Sequence, residues 1–205
     1  MKRARDLARV QLIDAPEAGW ESGGPVTSKQ EAELTLPRAE LDRIWNAEYL
    51  ERLARTYWRW LSKISLGLLR VVYAPDSRRI VFLFPPLTLL RFQAPEYETT
   101  PTSGTVTWRI DRGFLVSPRG RGKGFLRLKV SRPDHAEGEQ ASVRVSSEVA
   151  NFYPTLGLGK LYRVTQLKLH VIVTNAFLRS LARLDLVPSR VGQLRGEIVS
   201  PDARR

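Results

Sequence analysis

The chain has 205 residues, 42% of them apolar, and its 33 Lys and Arg against 21 Asp and Glu give a net charge of +12. This length predicts one domain with a substantial core and excludes a second full domain. The absence of cysteine excludes disulfides, thiolate nucleophiles and cysteine-ligated metal sites.

The start of the chain and its longest apolar runs bear on its location. Residues 1–6 are basic and lack the apolar core of a secretory signal, and no apolar run approaches the ~18 residues of a spanning helix. We therefore expect a cytoplasmic protein that is soluble or bound to a membrane surface. The positive charge would attract a phosphate-rich partner or anionic lipid, although the same composition also suits solubility alone.

The first predicted elements are an arm, a strand and a helix. Prolines and glycines among mixed charges predict an irregular basic N-terminal arm over residues 1–28. Residues 29–36 alternate apolar and polar side chains, as a half-buried strand does, and Pro37 then opens a helix. The apolar face of that helix does not continue in register beyond Asn46, which predicts a second helix.

The second helix, predicted over residues 47–65, has two distinct faces. The apolar face carries Tyr49, Leu50, Leu53, Tyr57, Trp60, Leu61 and Ile64. The opposite face carries Glu51, Arg52, Arg55, Arg59 and Lys63. The pattern predicts that the apolar face packs in the core. The cationic face is typical of a solvated surface, and contact with phosphate is the alternative.

A strand-rich region comes next. The predicted strands cover residues 69–73, 79–84, 87–93, 104–111, 125–130 and 141–149. Turn residues at 74–78 predict a hairpin between the first two. The clearest alternation places Val106, Trp108 and Ile110 on one face of a strand.

The last predicted element is a helix-length run from Leu158 to Leu184, followed by a tail over residues 188–205. One apolar stripe of the helix carries Leu158, Leu161, Tyr162, Leu169, Ile172, Val173 and Ala176. A second stripe, roughly opposite, carries Val164, Leu167, Val171, Leu178 and Ala182. One sheet could cover only one stripe, so the other must face another helix, a subunit, a membrane surface or an internal cavity.

The order of these elements, the runs 105–110 and 124–128 and the final helix resemble the START-like helix-grip superfamily, which includes polyketide cyclase-like and birch-pollen-allergen-like proteins. The resemblance covers residues 29–187. It implies an α+β fold in which a curved antiparallel sheet of six to seven strands wraps a long C-terminal helix, with two short helices after the first strand. It also implies an apolar ligand cavity between the sheet and that helix.

Such a cavity would bind a hydrophobic small molecule or lipid. The candidates for its wall and its orienting polar groups are Trp60, Trp108, Arg109, Phe114, Glu148, Phe152, Tyr162, Gln166, Leu169 and Ile172. Sequence alone does not separate these residues from ordinary core. Arg109 and Glu148 have two other interpretations, a pair across strands or exposure to water. The second helix stripe leaves both a monomer and a homodimer open.

A second hypothesis is a cyclase-like or hydrolase-like enzyme that uses the same cavity. Its catalytic candidate is His170 on the final helix, where an imidazole could act as acid or base, and a core or surface histidine is the alternative. His135 lies in a polar turn. The sequence shows no nucleophile motif and no metal-ligand spacing, so we expect neither a metal nor a cofactor.

The loop 118–124 is basic and rich in glycine. Its candidates for contact with an anion are Arg119, Arg121 and Lys123. The loop lacks the phosphate-loop spacing and the helix that should follow it, so a solvated hairpin tip is the alternative. The same cations favour transient contact with an anionic membrane. Nucleic acid binding is a third hypothesis, disfavoured because no basic strand face carries stacking aromatics.

Overall fold

The computed structural model describes residues 7–20, 24–74, 76–83, 86–133, 138–155 and 171–188, with the backbone alone for 14–20. These residues form an α+β protein. Its strands are β1 (Arg9–Trp20), β2 (Val26–Pro37), β3 (Leu69–Tyr73), β4 (Ser77–Phe82), β5 (Thr88–Gln93), β6 (Glu96–Thr99), β7 (Ser103–Arg112), β8 (Phe125–Ser131) and β9 (Gln140–Phe152). Its helices are α1 (Arg38–Ile44), α2 (Ala47–Ile64) and α3, which is described over 171–180.

The nine strands in the described part of the chain join one open antiparallel sheet. Their order is β1-β2-β9-β8-β7-β5-β4-β3, and β6 pairs with β7 beside that path. The pairing of β2 with β9 places Leu34 opposite Val143, so strands far apart in sequence lie side by side. A large antiparallel sheet with a C-terminal helix confirms the α+β class.

The sheet has more strands than the six to seven predicted. Residues 9–20 were predicted as part of an irregular arm, but they form the edge strand β1, which pairs with β2 from Arg9 opposite Thr35 to Trp20 opposite Val26. A register shift between Ile13 and Glu17 interrupts the alternation by which a strand is recognised. A proline at position 16 is tolerated there because the strand lies at the edge of the sheet.

The core lies between one face of the sheet and the helices. Asn46 caps α2, since its side chain accepts a hydrogen bond from the backbone N–H of Tyr49 at 3.0 Å. The buried side chains of α2 are Leu50, Leu53, Ala54, Tyr57 and Trp58. The predicted apolar face is therefore confirmed in part. Trp58, which the pattern did not place on that face, is only 2% exposed, whereas Trp60 is half-buried and Ile64 is exposed.

Aromatic rings fill the middle of this core. Trp58 packs against Phe92 and Trp108, with ring centroids 5.4 Å and 5.0 Å apart. Tyr57 meets Phe177 edge to face at 5.1 Å. Such aromatic pairs add to the stabilisation from burial itself. The two neighbouring residues of α2 thus connect the central strands on one side with α3 on the other.

The described part of the final helix buries one side. Thr174, Phe177, Leu178 and Leu181 are buried, whereas Ile172 is 64% exposed. Within residues 171–182, Leu178 of the second predicted stripe is buried as expected, whereas the first stripe is wrong at the exposed Ile172. The buried side also includes Phe177, which neither predicted stripe contains. Residues 158–170 of the predicted helix lie outside the described part of the chain.

Replacement of Trp108 by alanine tests this core. Trp108 is 1% exposed and lies against the ring of Trp58, so the variant would leave a cavity that the sheet cannot close. We expect Trp108→Ala to lower the free energy of unfolding by about 3–5 kcal/mol, measured by urea denaturation. Phe114→Ala is the control, because Phe114 is 56% exposed and its loss should change the free energy by less than about 1 kcal/mol. Equal effects would contradict the position of Trp108 in the core.

Candidate ligand cavity

A cavity of about 380 Å³ opens at the end of the sheet where β2 and β8 finish and β7 and β9 start. Its apolar wall comes from two strands, from α1 and α2, and from the segment at the end of α3. The wall residues are Leu34, Leu36, Leu41, Ile44, Leu50, Leu53, Val143, Val145, Leu181, Leu184 and Leu186.

Strand and helix periodicity explains why these side chains converge. Alternate residues of a strand point to one face, so Leu34 and Leu36 of β2 share the buried face with their β9 neighbours. Leu50 and Leu53 lie three residues apart on α2 and therefore on the same side of the helix. A Cβ atom at Gly104 would lie 3.2 Å from Leu50 Cδ2, so the glycine allows α2 to approach β7 closely.

The rim of the cavity is polar. The hydroxyl oxygens of Thr100 and Ser103 lie 2.8 Å apart, within hydrogen-bond distance, in the β6–β7 turn. Arg132 carries the one charge among the described residues that line the cavity. Its guanidinium donates to Asp42 at 3.1 Å and lies 4.8 Å from the ring centroid of Trp45. The cavity thus combines an apolar wall with a few polar groups at its edge, as small-molecule sites commonly do.

A second, smaller cavity of about 300 Å³ adjoins the first. Ile44, Tyr49, Leu184 and Leu186 line both cavities. Its charged members are arginines on α1 and α2, of which Arg52 donates to the carbonyl oxygens of residues 186 and 187, each at 3.1 Å. These bonds hold the segment after α3 against α2, so that segment forms a fixed wall between the two cavities.

The interior becomes polar further along the same strands. Gln30 of β2 lies opposite Ser147 of β9 and donates a hydrogen bond to Ser28 at 2.8 Å. Tyr57 of α2 and Thr174 of α3 are buried in the same region. Burial raises the pKa of Tyr57 to about 12, and the hydroxyls of Ser147 and Thr174 act in the opposite direction. The phenol is therefore neutral in the folded protein at physiological pH.

The apolar residues predicted as ligand contacts do not line this cavity. Trp108 is in the aromatic core, and Trp60 and Phe152 are half-buried against it. Phe114 is 56% exposed, and Ile172 is also exposed. The predicted residues Tyr162, Gln166, Leu169 and His170 lie outside the described part of the chain, as does His135.

The two charged candidates have other partners. Arg109 forms an exposed two-pronged ion pair with Glu96, at 2.8 Å and 3.2 Å. Glu148 lies 3.7 Å from a guanidinium nitrogen of Arg127 on the adjacent strand β8. The alternative in which Arg109 and Glu148 pair with each other is therefore wrong. Neither residue lines the cavity.

The basic loop is folded against the sheet. Its 3-10 turn spans Pro118–Gly120, and a Cβ atom at Gly120 would lie 2.4 Å from Tyr153 Cβ, which only glycine permits. Arg119 and Lys123 approach the Tyr153 ring, with their charged groups 5.6 Å and 5.5 Å from its centroid. Arg121 is exposed. The loop thus presents its cations from a fixed base, and their contact with an anion stays a prediction.

The described residues were also compared with what a metal site and a membrane-spanning helix require. Among the described residues, no three His, Asp or Glu side chains are grouped as a metal site would need. No described helix combines the length and apolar character needed to cross a bilayer.

Comparisons with known proteins identify neither a family nor a ligand for this chain. No protein-family model and no curated protein matches the chain. Among solved structures, the crystal structure of human STARD10 is similar, with a TM-score of 0.34 and 8% sequence identity over 92% of this chain and 76% of that chain. A TM-score of 0.34 is too low to define the fold or the ligand.

The raised pKa of Tyr57 predicts a pH dependence of stability. In the unfolded chain a tyrosine ionises near pH 10, whereas the folded protein holds the pKa of Tyr57 at about 12. Tyr57 therefore does not lower the free energy of unfolding below pH 10, but it lowers it progressively as the pH rises from 10 to 12. The free energy of unfolding of Tyr57→Phe, taken relative to that of wild type, should therefore rise by about 1 kcal/mol between pH 8 and pH 11. Urea unfolding at each pH measures this difference. A stability difference that does not change with pH would contradict a buried Tyr57.

Proposed function

We propose that this protein binds a hydrophobic small molecule or lipid in the cavity of about 380 Å³. That cavity is the observation on which the proposal rests. Its volume lies within the range of about 300–1,000 Å³ that is common for small-molecule sites. Because protein interiors pack densely, an apolar recess of this size, open at the end of the sheet, offers space for a guest.

The lining favours an apolar guest. Leucine, isoleucine and valine side chains from β2, β9, α1, α2 and the segment after α3 form the wall. Transfer of apolar surface from water into such a wall contributes about 25 cal/mol per Å². The hydroxyl groups of Thr100 and Ser103 and the guanidinium of Arg132 lie at the rim, where they would orient a polar end of the guest.

The fold assignment belongs to the same proposal. The strand β2, the helices α1 and α2, a run of antiparallel strands and α3 follow each other in the described residues. This order supports a START-like helix-grip domain over residues 29–187, with β1 added at the edge of the sheet. Proteins of that superfamily commonly hold apolar ligands between the sheet and the C-terminal helix. The cavity here instead lies between β2, β9, α1, α2 and the segment after α3. A cytoplasmic location is part of this proposal.

The ligand contacts are reassigned on this basis. The cavity wall replaces Trp108 and the exposed Phe114 and Ile172 as the contact surface. The predicted contacts Tyr162, Gln166 and Leu169 stay predictions for the earlier part of the final helix. No described residue favours the enzyme hypothesis, so a reaction is not proposed.

Replacement of Val143 tests the cavity directly. Val143 lines the cavity, and Val143→Phe would place a ring where the guest should bind. The matched control is Ser142→Phe, because the adjacent residue of β9 points to the other face of the sheet. The probe is the uncharged fluorophore N-phenyl-1-naphthylamine, and its binding is measured by fluorescence titration. We expect Val143→Phe to weaken binding at least about tenfold, whereas Ser142→Phe should bind as wild type does.

Two outcomes would contradict the proposal. One is an absence of saturable probe binding to the wild-type protein. The other is equal binding by wild type and Val143→Phe. Circular dichroism spectra and thermal unfolding of both variants verify that a lost signal does not reflect a lost fold.

A further inference from the structure

We propose that the end of the sheet opposite the cavity docks on an anionic phospholipid bilayer. The surface concerned, termed the apolar tip, consists of exposed side chains at the ends of α2, β4 and β7 and in the turn between α2 and β3. These side chains are Ile64, Leu66, Leu68, Leu83 and Phe114. The proposal uses none of the cavity residues and does not depend on the proposed ligand binding.

Strand pairing brings the apolar tip together. Leu69 pairs with Phe82, and the backbone N–H of Leu83 donates to the carbonyl of Leu68 at 2.8 Å. Phe114 donates its backbone N–H to the carbonyl of Thr88 at 3.0 Å, at the start of β5. Neighbouring strands are spaced about 4.8 Å apart. The exposed apolar side chains therefore follow one another along a single end of the sheet.

Two of these leucines are exposed where the fold favours another residue. Leu66 is 92% exposed with φ 53°, and Leu83 is 43% exposed with φ 61°. Left-handed backbone is disfavoured for a leucine, and glycine or asparagine usually occupies it. Leucine here neither fills the core nor suits the backbone. Conformational strain combined with an exposed apolar side chain points to a function at the surface.

The charge around the apolar tip is mostly positive. The segments 52–75, 77–95 and 112–133 contain no Asp or Glu. Asp111, at the end of β7, lies 3.5 Å from guanidinium nitrogens of Arg91 and Arg112. The basic loop lies at the same end, because the backbone N–H of Gly122 donates to the carbonyl of Ile110 at 3.0 Å near the end of β7. The basic loop carries Arg119, Arg121 and Lys123 and follows the exposed Phe114 by a few residues along the chain.

A bilayer surface fits both properties of this end. Anionic headgroups attract surface cations, and apolar side chains a few ångströms further out can enter the boundary between headgroups and acyl chains. A nucleic acid or an acidic protein would use the cations alone and gain nothing from exposed leucines on a protruding turn. The combination therefore favours lipid over those partners.

The experiment is sedimentation of the full chain with vesicles of phosphatidylcholine that contain about a third phosphatidylserine. The first variant is Leu66→Asn with Leu83→Asn, because asparagine suits left-handed backbone and should leave the fold intact. We expect this double variant to bind the vesicles at least about tenfold more weakly than wild type, with unchanged or higher thermal stability. The matched control is Leu7→Asn, since Leu7 is 52% exposed and lies at the opposite end of the sheet, beside Ala182.

A second pair of variants isolates the charge. Arg121→Gln with Lys123→Gln removes two cations from the basic loop and should weaken vesicle binding about tenfold or more. Lys129→Gln with Arg144→Gln removes two exposed cations from β8 and β9, and this control should bind as wild type does. Binding should also fall when phosphatidylserine is left out or when salt is raised.

Three results would overturn the proposal. The first is no sedimentation of the wild-type protein with anionic vesicles. The second is that the charge variant loses vesicle binding while the leucine variant binds as wild type does, which would indicate an acidic partner bound by cations alone. The third is an equal loss in the Leu7→Asn control. The leucine variant and both cation variants lie outside the two cavities, so N-phenyl-1-naphthylamine binding should be unchanged in them and the two proposals fail independently.

Discussion

The antiparallel pairing of β2 with β9 is the contact on which the rest of the structure depends. It runs from Val26 opposite Phe152 to Pro37 opposite Gln140 and joins the first half of the chain to its last strand. Because β2 leads directly into α1 and α2, this pairing holds both helices over the buried face of the sheet. After β9 the chain continues to α3, which packs against the same face through Phe177 and Leu178.

The distribution of side-chain size along α2 explains why a cavity forms at one end only. In the middle of the helix, Tyr57 and Trp58 reach the sheet and α3 and fill the space between them. Near its start, Leu50 and Leu53 are shorter and face Leu34 and Val143 across an open space. The dense aromatic packing therefore supports the fold, and the leucine end leaves room for a guest. Paired carboxylates lie at both ends of the sheet, Asp42 at the cavity and Asp111 near the apolar tip, and the loop 118–124 adds cations at the tip end.

Much of the fold follows from local pattern, and the site does not. Alternation predicts β7, and the positions of Val106, Trp108 and Ile110 on its buried face are confirmed. The edge strand β1 was missed because a register shift and a proline break its alternation. The buried side of a helix is hard to predict where several aromatic residues follow each other. The pattern therefore placed Trp60 on the buried face of α2, whereas the structure buries Trp58. The cavity wall combines residues as distant as Leu34 and Leu184, and no local pattern reveals a space enclosed by elements from both halves of the chain.

Native mass spectrometry of protein purified without detergent would show whether the cavity holds an apolar ligand. We expect an apolar compound, near one per chain, that is released on denaturation and identified by extraction. Val143→Phe protein prepared in the same way should carry much less of it. A wild-type protein that is empty as purified and remains empty after incubation with a mixed lipid extract would show that the cavity does not bind such a ligand.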